Sequence, residues 1–140
     1  MDPTDPKSKT ILVVDDDASV CELYQMGLSR QGFKTASVRA GDEALKAIKG
    51  GKQFDLILLD LMMPGRGGFD VLKDLQAAAP DIPIYVVTAR AMDTSTFQMI
   101  SMESNVKGVL TKPLNMKEFN AKVHETLGTI PAKAFDGWQG

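Results

Sequence analysis

The chain has 140 residues, enough for one domain and too few for two of ordinary size. Hydrophobic residues make up 44% and charged residues 24%, which excludes a largely disordered chain, and Cys21 is the only cysteine, which excludes an intramolecular disulfide. The formal net charge of -2 argues against a binder of nucleic-acid phosphates, so no direct DNA binding is expected. No apolar run approaches the ~18 residues of a membrane span, and the polar N-terminus lacks the apolar core of a signal peptide. A cytoplasmic domain without membrane insertion is the expectation.

Residues 1–9 hold two prolines, four charged residues and no aliphatic residue, and read as a flexible lead-in. The first apolar run, Ile11-Leu12-Val13-Val14, stops at Asp15-Asp16-Asp17. A helical pattern over 18–31 places Val20, Leu23, Tyr24 and Leu28 near one face. The alternation of 33–38 suggests an edge strand, and 42–49 a second helix around Ala44, Leu45 and Ile48. Leu56-Ile57-Leu58-Leu59 stops at Asp60, and Phe69, Leu72 and Leu75 mark a helix over 68–78. Ile84-Tyr85-Val86-Val87 stops at Thr88, followed by a helix over 93–103 with Phe97 and Ile100. Gly108-Val109-Leu110-Thr111 stops at Lys112-Pro113. The last helix, 116–127, starts with a capping-box pair, Asn115 and Glu118. Residues 10–128 therefore form the domain and 129–140 a tail.

The four strong runs lack polar alternation, as strands buried on both faces of a parallel sheet do. Strand and helix alternate five times, which argues a doubly wound α/β sheet. In such a sheet ligands bind beyond the carboxyl ends of the strands, and here those ends carry Asp15, Asp16, Asp60, Thr88 and Lys112. One polar strand end is commonplace; a set of them on one rim is not. At ~4 Å and an effective dielectric near 20, each pair of like charges costs on the order of 4 kcal/mol before relaxation. Lys112, protonation or a hard cation must offset that. An oxygen-only site suits Mg²⁺ better than Zn²⁺. A cation, an ammonium and a hydroxyl are parts for phosphoryl transfer. The Gly65-Arg66-Gly67-Gly68 stretch lacks the ending of a nucleotide-binding P-loop, so a carboxylate nucleophile on the protein itself is the better acceptor.

The runs Ile11-Leu12-Val13-Val14-Asp15-Asp16-Asp17, Leu59-Asp60-Leu61-Met62-Met63-Pro64-Gly65, Val87-Thr88-Ala89 and Lys112-Pro113-Leu114 resemble the receiver domain of bacterial two-component response regulators. The resemblance covers about residues 9–128. It implies a flavodoxin-like sheet of order 2-1-3-4-5 flanked by five helices. It also implies that Asp60 is the phosphoacceptor for a phosphohistidine of a sensor histidine kinase or phosphotransfer protein. Asp15, Asp16, Asp60 and the backbone carbonyl of Met62 would hold Mg²⁺. Lys112 and Thr88 would contact phosphoryl oxygens, beside a small Ala89, and the Lys112–Pro113 bond would be cis. About a dozen residues follow the last helix, so a single-domain regulator switching contacts with an unknown downstream protein is expected, not a turnover enzyme. Two alternatives are a phosphorylation-independent adaptor of the same fold and a small Mg²⁺-dependent phosphatase with Asp60 as nucleophile. Phosphatases of the haloacid dehalogenase type want a second Asp where Met62 stands.

Some residues depart from the family pattern. Val109 occupies the position, three before Lys112, where receivers usually carry a switching aromatic ring. Met62 and Arg90, two beyond Asp60 and Thr88, lack the water-orienting groups of fast autodephosphorylators. The segment from Met92 to Asn105 is rich in Thr, Ser and Met, an unusual helix composition with a potential binding face. His124 reads as a surface residue and Cys21 as buried packing. Phe135 and Trp138 read equally as a docking tail and as the start of a linker.

Overall fold

The computed structural model describes residues 2–61, 68–89 and 94–131. The strands are β1 (Thr10–Val14), β2 (Lys34–Val38), β3 (Leu56–Asp60), β4 (Ile84–Thr88) and β5 (Val106–Thr111). The helices are α1 (Ala18–Arg30), α2 (Gly41–Lys49), α3 (Gly68–Ala78), α4 (Thr94–Ser101) and α5 (Met116–Leu127). The five strands form one parallel sheet in the order β2-β1-β3-β4-β5. This is the flavodoxin-like doubly wound architecture expected from the alternation.

Alternate strand residues point to opposite faces, and both faces are covered. Ile11, Val13, Leu56, Leu58, Tyr85 and Val87 pack with Cys21, Tyr24 and Leu28 of α1 and with Phe119 and Val123 of α5. Leu12, Val14, Ile57, Leu59, Ile84 and Val86 pack on the other face with Ala44 of α2, Val71, Leu72 and Leu75 of α3, and Ile100 of α4. Every residue of β3 and β4 is buried, which is why these runs show no polar alternation. Burying each such Val, Leu or Ile stabilises the fold by about 1.5–3 kcal/mol. β2 sits at the edge beside β1 alone and is partly exposed, as its alternation predicts. Gly108 pairs with Tyr85, and a Cβ at Gly108 would lie 3.0 Å from the Tyr85 ring. The ring fits because β5 has no side chain there, and its hydroxyl lies 2.6 Å from Thr126 Oγ1 on α5.

Four local readings change. The lead-in is structured: Asp5 caps a 3₁₀ turn over Pro6–Ser8, Pro6 is buried, and the Ile130 N–H donates to the Thr4 carbonyl at 2.9 Å. Pro6 therefore packs against the domain, while Pro3 stays exposed. Leu23 is 56% exposed while Cys21 takes the inward position on α1, because the inward face runs through 21, 24 and 28. Phe97 is also exposed, and among the described residues Ile100 is the one that anchors α4 in the core. His124 is buried rather than on the surface, with Nδ1 2.8 Å from Thr129 Oγ1 and Nε2 2.9 Å from Gln31 Oε1. A polar residue enters the interior when both ring nitrogens find partners, and these come from the ends of α1 and α5. Its ring also lies against Phe33, with centroids 4.8 Å apart.

Candidate functional site

The sheet order places β1 and β3 side by side while the chain crosses from β2 to β3. At this reversal the loops diverge to opposite faces and leave a crevice at the strand ends. Asp15 follows β1 and Asp60 ends β3, next to it. Asp60 pairs with Val87, so Thr88 ends β4 one residue further along the same rim. Thr111 pairs with Thr88, and the Lys112 N–H donates to the Thr88 carbonyl at 2.8 Å. Parallel register alone thus brings residues far apart in sequence to one edge.

Asp15, Asp60 and Thr88 are buried, and Asp16 is exposed. One carboxylate oxygen from each of Asp15, Asp16 and Asp60 lies within 4.8 Å of the others. Lys112 Nζ reaches Asp15 Oδ2 at 2.8 Å and Asp60 Oδ2 at 3.1 Å. Burial opposes the Lys112 charge, but hydrogen bonds to Asp15 and Asp60 and their negative charges outweigh it and hold its pKa above the ordinary lysine value. The peptide bond Lys112–Pro113 is cis, as the resemblance implied. Three oxygen donors this close fit a hard divalent cation, and the donor set contains no sulfur or imidazole to favour zinc.

Asp17, the third acid of the run, does something else. Its side chain caps α1, accepting from the Ser19 N–H at 2.9 Å, the Ser19 hydroxyl at 2.6 Å and the Val20 N–H at 3.4 Å. The Ser19 hydroxyl and then these backbone N–H groups hold its carboxyl below the usual range. Its own N–H donates to Asp15 Oδ1 at 3.0 Å. An acid directly before a helical pattern is the signature that identifies such a cap. Cys21 Sγ lies 3.3 Å from the Asp15 carbonyl. Burial, then the nearby Asp15 charge, pushes its thiol pKa up, so the sulfur stays protonated and donates. Val109 is partly buried against the α2–α3–α4 side of the core, paired with Val86. Met62, Arg90, Met92, Phe135, Trp138 and the Gly65–Gly67 stretch lie outside the described residues.

The fold, the carboxylate cluster and the lysine define a receiver-type site, and the family profile of the response regulator receiver domain matches residues 11–124. The chain belongs to this family. It is 40% identical over 124 residues to the DNA-binding response regulator MtrA of Mycobacterium tuberculosis, covering 88% of this chain and 52% of that protein. It is 37% identical over 120 residues to the alkaline phosphatase synthesis transcriptional regulatory protein PhoP of Bacillus subtilis, covering 86% and 49%. Its structure resembles the crystal structure of the response regulator TrrA of Thermotoga maritima in complex with Mg²⁺–BeF, with TM-score 0.72, 31% identity and coverage of 84% and 98%.

The chain spans about half the length of the curated relatives it matches. These relatives overturn the expectation of no direct DNA binding, because they are DNA-binding and transcriptional regulators. Net charge and length describe the receiver and carry no information about the effector it works with. Among the described residues, no helix is long and apolar enough to cross a membrane.

Proposed function

We propose that this chain is a cytoplasmic phospho-accepting switch of a two-component system, with Asp60 as the acceptor and Mg²⁺ as the required cation. The observation that carries the reading is the buried Asp60 carboxylate, 3.1 Å from Lys112 Nζ and clustered with Asp15 and Asp16. A carboxylate oxygen of Asp60 attacks the phosphorus of a donor phosphohistidine. The P–N bond breaks, the phosphoryl group passes to Asp60, and the departing imidazole takes a proton. Lys112 faces the oxygens on which charge accumulates. Thr88, at the same rim, donates its hydroxyl to a phosphoryl oxygen. Asp15, Asp16 and Asp60, with the Met62 carbonyl, would hold Mg²⁺, which supplies charge neutralisation at the phosphoryl oxygens. The Thermotoga relative, seen with Mg²⁺ and beryllium fluoride, supports this assignment. The protein assists its own phosphorylation and is not a turnover enzyme. Its partners are a sensor histidine kinase or phosphotransfer protein upstream and an effector downstream. The relatives point to a DNA-binding effector function as the output.

Incubation with a small acyl phosphate and Mg²⁺, followed by intact mass and peptide mapping, tests this reading. A single phosphoryl group on Asp60 that survives removal of the donor is expected. It should be absent in Asp60→Asn and without Mg²⁺. Multiple turnover of the donor with no label retained would instead identify a phosphatase.

A further inference from the structure

We infer that Asp17 is a positioning residue that aims the Asp15 carboxylate, and so sets Mg²⁺ affinity without touching the ion. This role rests on the metal reading of the site and deepens it. Three adjacent acids invite the view that all three are ligands or charge contributors. The geometry separates them. The close group of carboxylate oxygens comprises Asp15, Asp16 and Asp60, while the Asp17 carboxylate engages the first turn of α1.

Asp17 is held from both sides. Its side chain accepts three hydrogen bonds from Ser19 and Val20, and its carbonyl accepts from the Cys21 N–H at 3.0 Å. Together these fix its backbone in an extended conformation, φ -93° and ψ 113°, at the junction of loop and helix. That conformation directs the Asp17 N–H at Asp15 Oδ1, 3.0 Å away. Lys112 grips the other oxygen, Oδ2, at 2.8 Å. One donor on each oxygen sets both the position and the plane of the Asp15 carboxylate. A carboxylate held this way offers a cation its remaining lone pairs in one orientation. Partners behind a ligand commonly change metal affinity 10–100-fold when removed.

The role belongs to the cap and not to the charge, which gives it a distinctive test. Asn and Ser cap helices about as well as Asp, and Ala does not. Mg²⁺ alone is titrated calorimetrically into wild type, Asp17→Asn, Asp17→Ser and Asp17→Ala, with metal-free melting measured in parallel. Asp17→Ala should bind Mg²⁺ about tenfold more weakly. Asp17→Asn and Asp17→Ser should stay within threefold of wild type despite the lost charge. Ser29→Gly, on an exposed position of α1, is a control for helix destabilisation and should leave the affinity unchanged. If Asp17→Asn is as weak as Asp17→Ala, the charge acts directly and the inference is overturned. Wild-type affinity in Asp17→Ala overturns it as well. Absence of saturable Mg²⁺ binding in wild type would instead overturn the metal reading itself, and the positioning role with it.

Discussion

Lys112 Nζ lies 2.8 Å from Asp15 Oδ2, an ion pair between residues 97 positions apart. The lysine also reaches Asp60, so one cation compensates two buried carboxylates. Breaking a buried pair commonly costs 3–5 kcal/mol, and the partial exposure of Lys112 lowers that figure. Lys112→Met should therefore destabilise the metal-free protein by about 2 kcal/mol. Excess Mg²⁺ should restore more melting temperature to the variant than it adds to wild type. Metal-free melts that superimpose on wild type would count against this compensation.

Asp16 is the exposed member of the cluster, and Lys112 Nζ bonds to Asp15 and Asp60 instead. Asp16→Asn removes a repulsion without breaking that pair, and should stabilise the metal-free protein by at most about 1 kcal/mol. Asp60→Asn should gain less, because it also surrenders the contact with Lys112. Mg²⁺ at a hundred times its Kd should stabilise wild type by about 2.7 kcal/mol through mass action. It should stabilise Asp16→Asn much less, and thermal melts with and without Mg²⁺ check both statements.

Burial lowers the pKa of His124 from its ordinary 6.5. The unfolded chain then binds a proton at a pH where the folded chain does not. The neutral ring costs nothing above about pH 6.5, and stability falls as the pH drops below that value toward the depressed folded pKa. His124→Gln should flatten this part of the pH profile. Urea unfolding of both proteins at a series of pH values reads the difference, and parallel slopes below pH 6.5 would contradict it.

Met62 and Arg90 lie outside the described residues, and their side-chain chemistry alone sets the next expectation. Neither a thioether nor a guanidinium acts as a base toward water. The acyl phosphate on Asp60 should accordingly persist for minutes or longer. Met62→Asn combined with Arg90→Glu should shorten its lifetime about tenfold, equivalent to ~1.4 kcal/mol of barrier. Loss of label after donor removal, with Mg²⁺ present, measures it; decay of wild type within seconds would contradict it.

Much of this protein was determined by the local order of its residues. Runs such as Leu56–Leu59 and Ile84–Val87 announce doubly covered strands, because burial on two faces demands apolar residues at every position. Their alternation with helices sets the parallel topology, and topology sends Asp15, Asp60, Thr88 and Lys112 to one rim. Their convergence was therefore readable before any distance was known. Residues whose role depends on a neighbour distant in sequence were not. The partners of His124 are Gln31, 93 positions away, and Thr129, just beyond its own helix, and only folding joins these two chain segments. The Thr4–Ile130 bond and the Tyr85–Gly108 fit are likewise products of packing. Asp17 lies between these cases: its cap is local and legible, but its aim at Asp15 depends on backbone direction. Periodicity reports which face of an element is buried. It does not report which polar group will find a partner there, because hydrogen bonds depend on distance and angle that only the tertiary structure supplies.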